Sequence, residues 1–544
     1  MLTTLCSEDG VPHPKSAGVT PRHSGWLVRR GPGRRAGNGD LPADPNSKAP
    51  QLWHMADRDA GTRRWVTSRA ALSCTGMLAC LWWMAPALNT GSTEPAENAA
   101  TALEGRGYAP MALPDENRPV VDLSVRLSPD LRNATGTETI VFTPDARICR
   151  VVLRLWPNAP SIAGNGSGMT LDRVTVDGVG RPVQMRSAGA EPGTAGTLAV
   201  VPLKACRAAG SHLRITARFR VRLGVGGAER VGVDPQRQVA RLGSAFPLLA
   251  WVRGRGWVRE PAVPGKGEEL VSEEFRLDRL AVTAPAGLQV VGGGTPESVT
   301  RRGGVAVSTF HAESVRDVAF AVGSFTTATA EMAGVTVRAA VPTDAKAPAE
   351  EWLAQARTPA LRMRTQFGQL PYRDVWLVVC LPKFAGIEFP TTMFFPDVEV
   401  GDFGRLVPHE WGHQYFYSLV GNDQGQDPWL DEAFATYAEA VTDSGAARYT
   451  SRSLSASVRN RVGEPMKDWQ GSGMPTGSYN EGVYVAGAAA LLRARQAAGA
   501  AAFDAAIKDY VARNAHSVAA PREVCAVLGR LPKALDELHA AGAV

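Results

Sequence analysis

The sequence has 544 residues, which is long enough for two or three domains with substantial hydrophobic cores. Its hydrophobic content of 44% and charged content of 21% are ordinary for a folded soluble protein. Of the net charge of +6, residues 1–88 carry +5, because eleven Lys and Arg there face six acids. The remainder is nearly neutral, which argues against a nucleic-acid-binding surface.

The beginning of the chain predicts export. Residues 1–54 are rich in Pro, Gly and Arg without hydrophobic periodicity, so we expect a disordered extension there. Residues 55–88 have a basic start, an uncharged stretch over 70–88 and a small-x-small site at 85–87, as in a signal peptide. Met55 is an alternative start, and the 70–88 segment could instead remain as a membrane anchor. Either way we expect an extracellular or cell-surface protein.

A linker and a β domain follow. Residues 89–111 have linker composition. Residues 112–330 contain short alternating runs such as 212–219, separated by turn residues, which predicts an antiparallel β-sandwich-like domain. Cys149 and Cys206 lie in this domain and could form a disulfide after export, or could be buried free thiols.

Residues 331–544 predict a second, mainly helical domain. It begins with strands at 335–341 and 375–381, and an amphipathic helix is expected between them at 348–367. The chain as a whole is therefore predicted to be α+β.

The motif His409-Glu-x-x-His413 indicates a metal site in this second domain. Histidines four residues apart leave the same face of a helix, so both imidazoles can reach one ion. Glu410 points beside the metal rather than at it, which is where a general base should lie. The competing interpretation is a pair of histidines on a solvated helix face.

A second helix is expected to supply the third ligand. With Pro408 in its first turn, the first helix is predicted to run as far as Val420. Asp427 then suits an N-cap and Pro428 the first helical position. Hydrolytic zinc keeps three protein ligands and leaves a fourth position to water, and Glu432 is the candidate for the third.

With Gln414 after the second histidine and Glu432 within Trp429-Leu-Asp-Glu-Ala, the segment resembles the gluzincin metallopeptidases of the aminopeptidase N type. The resemblance implies a thermolysin-like catalytic domain, one Zn²⁺ ion and peptide substrates. It also implies hydrolysis of peptide bonds, with aminopeptidase activity expected. We expect a monomer.

The resemblance also suggests residues that bind and activate the substrate. The segment containing Gly386 and Glu388 is similar to the family's substrate-binding edge strand, whose glutamate pairs with the free α-amino group of the peptide. Tyr479 and Tyr484 both fit the position of the catalytic tyrosine. We favour Tyr484 because the Gly487 helix follows it closely.

Three features depart from the family pattern. Phe389 replaces the usual Asn, and the segment around 241–247 offers no second amine-binding acid. The sequence also ends 60 residues after Tyr484, so we expect a more open cleft than in many relatives. Two alternatives are an endopeptidase and a noncatalytic binding protein that retains the metal for stability.

Overall fold

The structure is a computed structural model that describes residues 110–226, 230–264, 271–382, 386–443, 445–471 and 473–544. The predicted extension, signal peptide or anchor, and nearly all of the linker lie outside these described residues. Across the described ranges, none of the helices combines the length and the apolar character needed to cross a bilayer.

The first part of the described chain is rich in β-strands, as predicted. Strand β8 illustrates the cause: apolar residues alternate with outward-facing arginines, so one face can be buried. The strands in chain order are β1 (Val120–Leu127), β2 (Asn133–Phe142), β3 (Ile148–Arg154), β4 (Gly168–Val176), β5 (Val179–Arg181), β6 (Gln184–Arg186), β7 (Leu198–Arg207), β8 (Leu213–Arg222), β9 (Val231–Asp234), β10 (Val239–Gly243), β11 (Leu248–Leu249), β12 (Trp251–Val252), β13 (Gly256–Trp257), β14 (Phe275–Pro285), β15 (Gln289–Gly292), β16 (Thr295–Arg302), β17 (Val305–Val315) and β18 (Ala319–Gly323).

These strands form layered sheets around one core. Within the described residues, the large sheet has the order β16-β17-β14-β1-β2-β8-β4-β5, and two smaller sheets have the orders β15-β18-β10-β9 and β11-β3-β7-β6. The pairs of the large sheet are antiparallel except β1 with β14, which is parallel. Residues from all three sheets share a buried cluster that includes Leu123, Leu242 and Leu153.

Of the two alternatives for Cys149 and Cys206, the structure has the disulfide. Cys149 in β3 and Cys206 in β7 are bonded, and they belong to adjacent antiparallel strands of one small sheet. The alternative of two buried thiols is therefore wrong for this pair.

The second part of the chain combines a mixed sheet with helices, which confirms the α+β prediction. Its strands are β19 (Phe325–Met332), β20 (Val335–Pro342), β21 (Asp374–Leu381), β22 (Ile387–Phe389), β23 (Thr392–Pro396), β24 (Gly421–Asn422) and β25 (Val518–Ala519). The first five form a sheet in the order β19-β20-β21-β23-β22.

The helices pack mainly on this sheet and on one another. In chain order, and beginning with a short helix of the β domain, they are α1 (Pro160–Ala163), α2 (Ala349–Phe367), α3 (Leu406–Gly412), α4 (Trp429–Thr442), α5 (Ala446–Thr450), α6 (Met466–Trp469), α7 (Gly487–Ala498), α8 (Ala500–Asn514), α9 (Pro521–Leu528) and α10 (Pro532–Ala540). A π-helix, Asn480–Ala486, runs directly into α7, and 3₁₀ turns occur at Trp156–Asn158 and Val400–Phe403.

One buried acid in the β domain lacks compensation. Glu138 in β2 is 1% exposed, and neither carboxyl oxygen has a hydrogen-bond partner among the residues that the structure describes. It lines a cavity of about 10 Å³ beside Glu273 and Trp251. Because burial disfavours the charged form, the pKa of the Glu138 carboxyl is raised well above 4.5.

Glu138 should therefore make the stability of the protein depend on pH. Below its unfolded-state pKa near 4.5 both states are protonated. As the pH rises above that value the unfolded state ionises first, so the free energy of unfolding falls until the folded-state pKa is reached. A tenfold difference in proton affinity between the two states corresponds to about 1.4 kcal/mol, so we expect Glu138→Gln to flatten the decline between pH 5 and 8 by more than ~1 kcal/mol in denaturant unfolding.

The matched control is the exposed Glu116→Gln, which should leave the pH profile of the unfolding free energy unchanged. Parallel wild-type and Glu138→Gln profiles would show that the Glu138 carboxyl is not a source of this dependence.

Candidate functional site

Helix α3, which contains His409 and has His413 at its C-cap, is shorter than predicted. It ends at Gly412 instead of continuing to Val420, so the predicted length is wrong. Pro408 lies in its first turn, as predicted. A Cβ atom at Gly412 would lie 3.0 Å from the Cα of Ala435 in α4. The glycine therefore permits close packing of the two site helices.

Contacts from distant residues explain the early end of α3. After the helix, the Ser418 amide donates a hydrogen bond to the carbonyl of His413 at 2.9 Å, and Tyr417 adopts a φ of 123°. Arg316 of the β domain donates from Nε to the Ser418 carbonyl at 3.1 Å. Arg316 lies 102 positions before Ser418 in the sequence, so the spacing of hydrophobic residues around Ser418 does not predict this contact.

Helix α4 begins close to its predicted start. Pro428 occupies the N-cap position and no side chain caps the helix, so the prediction of Asp427 as the cap is wrong by one residue. Asp431 and Glu432 both lie in the first turn. The helix dipole favours carboxylates at this end, so their position costs little.

The three predicted ligand side chains converge. The Nε2 atoms of His409 and His413 lie 3.1 Å apart. Oε2 of Glu432 lies 3.3 Å from the first nitrogen and 3.4 Å from the second. Tetrahedral zinc with bonds of about 2.0–2.1 Å holds neighbouring donors about 3.3 Å apart. The donor set and its spacing therefore fit a zinc ion.

The Nδ1 atoms of the two histidines have different surroundings. Nδ1 of His413 lies 2.6 Å from Oδ1 of Asp431, whose other oxygen accepts from Nε2 of Gln424 at 2.6 Å. Nδ1 of His409 lies 3.9 Å from Glu439, which is beyond hydrogen-bond distance. Asp431 thus fixes the orientation of one ring, whereas Glu439 does not hold the other by a hydrogen bond.

Electrostatics at the site follow from burial and these contacts. Burial alone would raise the pKa of the Glu432 carboxyl, but His413 and His409 hold it well below its ordinary value. Burial alone would lower the pKa of His413, but Asp431 and Glu432 raise it well above the ordinary value. Burial lowers the pKa of His409. A carboxylate that stays ionised next to two imidazoles is a donor set suited to a divalent cation.

Glu410 lies beside this triangle. One nitrogen of His413 and one carboxylate oxygen from each of Glu388 and Glu410 lie within 4.8 Å of one another. A Cβ atom on Gly386 would lie 2.0 Å from Oε1 of Glu410, so a larger residue would occupy the space of this carboxylate. The absence of a side chain at Gly386 therefore leaves room for the Glu410 carboxylate.

Glu388 lies on β22, which is at the edge of the five-stranded sheet in the described structure, as predicted. Its Oε1 accepts from Nε2 of Gln424 at 3.3 Å and lies 3.6 Å from Nη2 of Arg230. The sequence interpretation did not include Gln424 or Arg230. Neither belongs to a short motif, so their role depends on the tertiary fold.

Gln414 connects the end of β22 to the segment directly after α3. Its Nε2 donates to the carbonyl of Phe389 at 3.1 Å, and its Oε1 accepts from the amide of Thr391 at 3.0 Å. The residue after the second histidine therefore fixes the end of β22 relative to the metal ligands.

Of the two candidate tyrosines, Tyr484 contacts the candidate ligands. Its hydroxyl donates to Oε1 of Glu432, and its ring stacks on His409 with centroids 5.7 Å apart. Tyr479 is buried and packs edge-on against Tyr484 at 5.9 Å between centroids. This geometry favours Tyr484 over Tyr479.

Comparison with solved structures supports the two-domain fold. The chain is similar to an M1 zinc metallopeptidase from Deinococcus radiodurans, with 19% identity and a TM-score of 0.59 over 80% of this chain and 95% of that one. A mutant of an M1 zinc metallopeptidase from the same organism, bound to a Tyr-Ser-Ala substrate, matches with 18% identity and a TM-score of 0.58 over 79% and 94%. A two-domain M1 zinc metallopeptidase mutant bound to L-tryptophan matches with 18% identity and a TM-score of 0.58 over 80% and 96%.

One segment of the chain, which contains the candidate ligands, matches a family model. Residues 400–539 match the peptidase family M1 domain, a range that contains both histidines, Glu410, Glu432 and Tyr484. Residues 400–539 are therefore similar to the peptidase family M1 domain, and the described chain shares its fold with M1 zinc metallopeptidases.

Proposed function

We propose that this M1 zinc metallopeptidase is an exported aminopeptidase that releases N-terminal residues from peptides. The observation that carries the proposal is the short distance between two carboxylates with different proposed roles. A carboxylate suited to an α-ammonium group, Glu388, and a carboxylate suited to a general base, Glu410, lie within 4.8 Å of each other and of His413. A cleaved bond close to an anchored terminus is what an aminopeptidase requires.

Zinc is the metal that the family implies, with His409, His413 and Glu432 as its ligands. When bound, it would polarise the scissile carbonyl and lower the pKa of water. Glu410 accepts the proton of the attacking water and passes it to the leaving amine. Its burial at 3% exposure keeps bulk water from competing for this proton.

Tyr484 is proposed to stabilise the developing oxyanion. Its hydroxyl donates to Glu432 in this structure, so it already points toward the ligand cluster. If Glu432 binds a metal ion, its carboxylate would accept a weaker hydrogen bond from Tyr484. The Tyr484 hydroxyl would then be available to donate to the substrate oxygen. Such a contact strengthens only as charge forms and therefore accelerates the reaction.

Glu388 is proposed to bind the free amino group, and Gly386 is proposed to border the same subsite. The edge position of β22 leaves backbone groups for an extended peptide, which can add as a further strand. The related structures solved with a Tyr-Ser-Ala substrate and with L-tryptophan are consistent with small ligands that carry a free α-amino group. Export, a monomeric state and attachment through residues 70–88 remain part of the proposal on sequence grounds alone.

The test compares aminoacyl reporters with N-blocked peptide reporters. We expect the wild type to cleave the former and Glu388→Gln to raise their KM about 10–100-fold, since a hydrogen bond to a charged group contributes about 1.5–3 kcal/mol. Exposed Glu350→Gln is the matched control and should change neither constant. Efficient cleavage of N-blocked peptides by the wild type would instead identify an endopeptidase.

A further inference from the structure

The β domain places a buried cation next to the proposed amine-binding residue. Arg230 is 2% exposed and immediately precedes β9. Its Nη2 lies 3.6 Å from Oε1 of Glu388, which is 3% exposed. Two charges this deeply buried influence each other strongly, and removing one leaves the other uncompensated.

Phe389 and Gly243 shape the place where the guanidinium lies. The guanidinium carbon of Arg230 lies 5.1 Å from the centroid of the Phe389 ring, a cation–π arrangement. A Cβ atom on Gly243 would lie 2.2 Å from Cζ of Phe389, so only glycine leaves room for the ring. Phe389, which departs from the family pattern, therefore packs against the guanidinium group of Arg230.

A second acid balances the charge on Arg230. Asp317 is 1% exposed and its Oδ2 accepts from the Ser244 hydroxyl at 2.5 Å. Burial raises the pKa of the Asp317 carboxyl to about 6, while the charge of Arg230 opposes this rise. Counted as formal charges, Asp317, Arg230 and Glu388 sum to −1, so Arg230 does not reverse the attraction of this group for a cation.

We propose that Arg230 is a positioning residue that orients the Glu388 carboxylate to receive the α-ammonium group of the substrate. The inference depends on the proposed aminopeptidase function and deepens it. The amine subsite is built jointly, with the receiving carboxylate on β22 and its support on the β domain. Substrates without a free terminal amine should not sense Arg230.

The experiment compares Arg230→Met, Arg230→Lys and the double variant Arg230→Met with Asp317→Asn. KM and kcat are measured with aminoacyl and N-blocked reporters, and zinc content is measured in parallel. We expect Arg230→Met to raise KM for the aminoacyl reporter about 10-fold or more, with kcat and zinc content nearly unchanged. Arg230→Lys keeps the charge and should recover part of the loss.

The double variant separates positioning from charge balance and serves if Arg230→Met alone does not fold. It removes one buried cation and one buried anion, so Glu388 remains with the original net charge. Positioning predicts that KM for the aminoacyl reporter stays elevated, whereas a return to the wild-type KM would overturn the proposal. Exposed Arg218→Met in β8 is the matched control.

Three further outcomes decide the inference and distinguish it from the proposed function. An active wild type whose KM for aminoacyl reporters does not change in Arg230→Met overturns the inference alone. Equal losses on aminoacyl and N-blocked reporters also overturn it, because they indicate a general structural effect. A wild type that cleaves only N-blocked reporters overturns the aminopeptidase function, and the inference with it.

Discussion

Replacing Glu410 with Gln should reduce kcat about 10²–10⁴-fold while zinc remains bound. The carboxylate is the only part of the side chain that changes, and Gln has nearly the same shape, so the close contact with Gly386 is preserved. Zinc held by His409, His413 and Glu432 should not depend on Glu410, which supplies none of the three donor atoms of that group. The measurement is kcat with an aminoacyl reporter, together with zinc content of the purified variant.

The same substitution at exposed Glu350 provides the control for a Glu→Gln exchange elsewhere in the catalytic domain. If wild type and Glu410→Gln both bind zinc and are equally inert toward every reporter, the protein is a noncatalytic binding protein. In that case the carboxylate beside the ligand cluster has no function as a base.

The convergence of the three candidate ligands could be predicted because the geometry of the two histidines is local. A spacing of four residues places His409 and His413 on one helical face, and the structure has both on that side of α3 with Nε2 atoms 3.1 Å apart. Glu432 followed from the need for a third ligand and from a helix start near Pro428, which proved one residue off. Errors of this size do not change which side chains meet.

Features set by long-range contacts could not be predicted. Arg316, from the β domain, holds the carbonyl of Ser418 and also donates to the carbonyls of Ser272 and Ser517. It thereby joins the turn after the zinc helix to two distant segments, and this contact replaces the predicted helical continuation. Arg230 follows the same logic at Glu388, since nothing near either residue in sequence indicates their proximity.

The sequence is informative about local geometry in this fold, but not about contacts between distant segments. Periodicity and motif spacing describe interactions within a few turns of one element. The Glu388 subsite instead assembles one residue of an edge strand, Gln424 of a loop and Arg230 of another domain. Such a site becomes visible only when the domains are packed together.

Replacing Glu432 with Gln should weaken zinc binding more than any other single change at α4. The substitution removes the anionic donor and leaves the two imidazoles, 3.1 Å apart, as the remaining donors of the group, which hold a divalent cation poorly. Asp431→Asn is the matched comparison, because Asp431 contacts His413 at Nδ1, away from the candidate metal position, and its loss should cost about 10–100-fold in metal affinity. We expect the loss in Glu432→Gln to exceed this range.

Zinc affinity is measured by competition with a chelator, and thermal unfolding provides an independent readout. A ligand at 100 times its dissociation constant stabilises the folded state by about 2.7 kcal/mol, so metal removal should lower the Tm of the wild type. In Glu432→Gln the Tm should be nearly insensitive to chelator, because little metal is bound at the start. Wild-type affinity in both variants would mean that the ion is held elsewhere, and the catalytic roles proposed for Glu410 and Tyr484 would then lose their foundation.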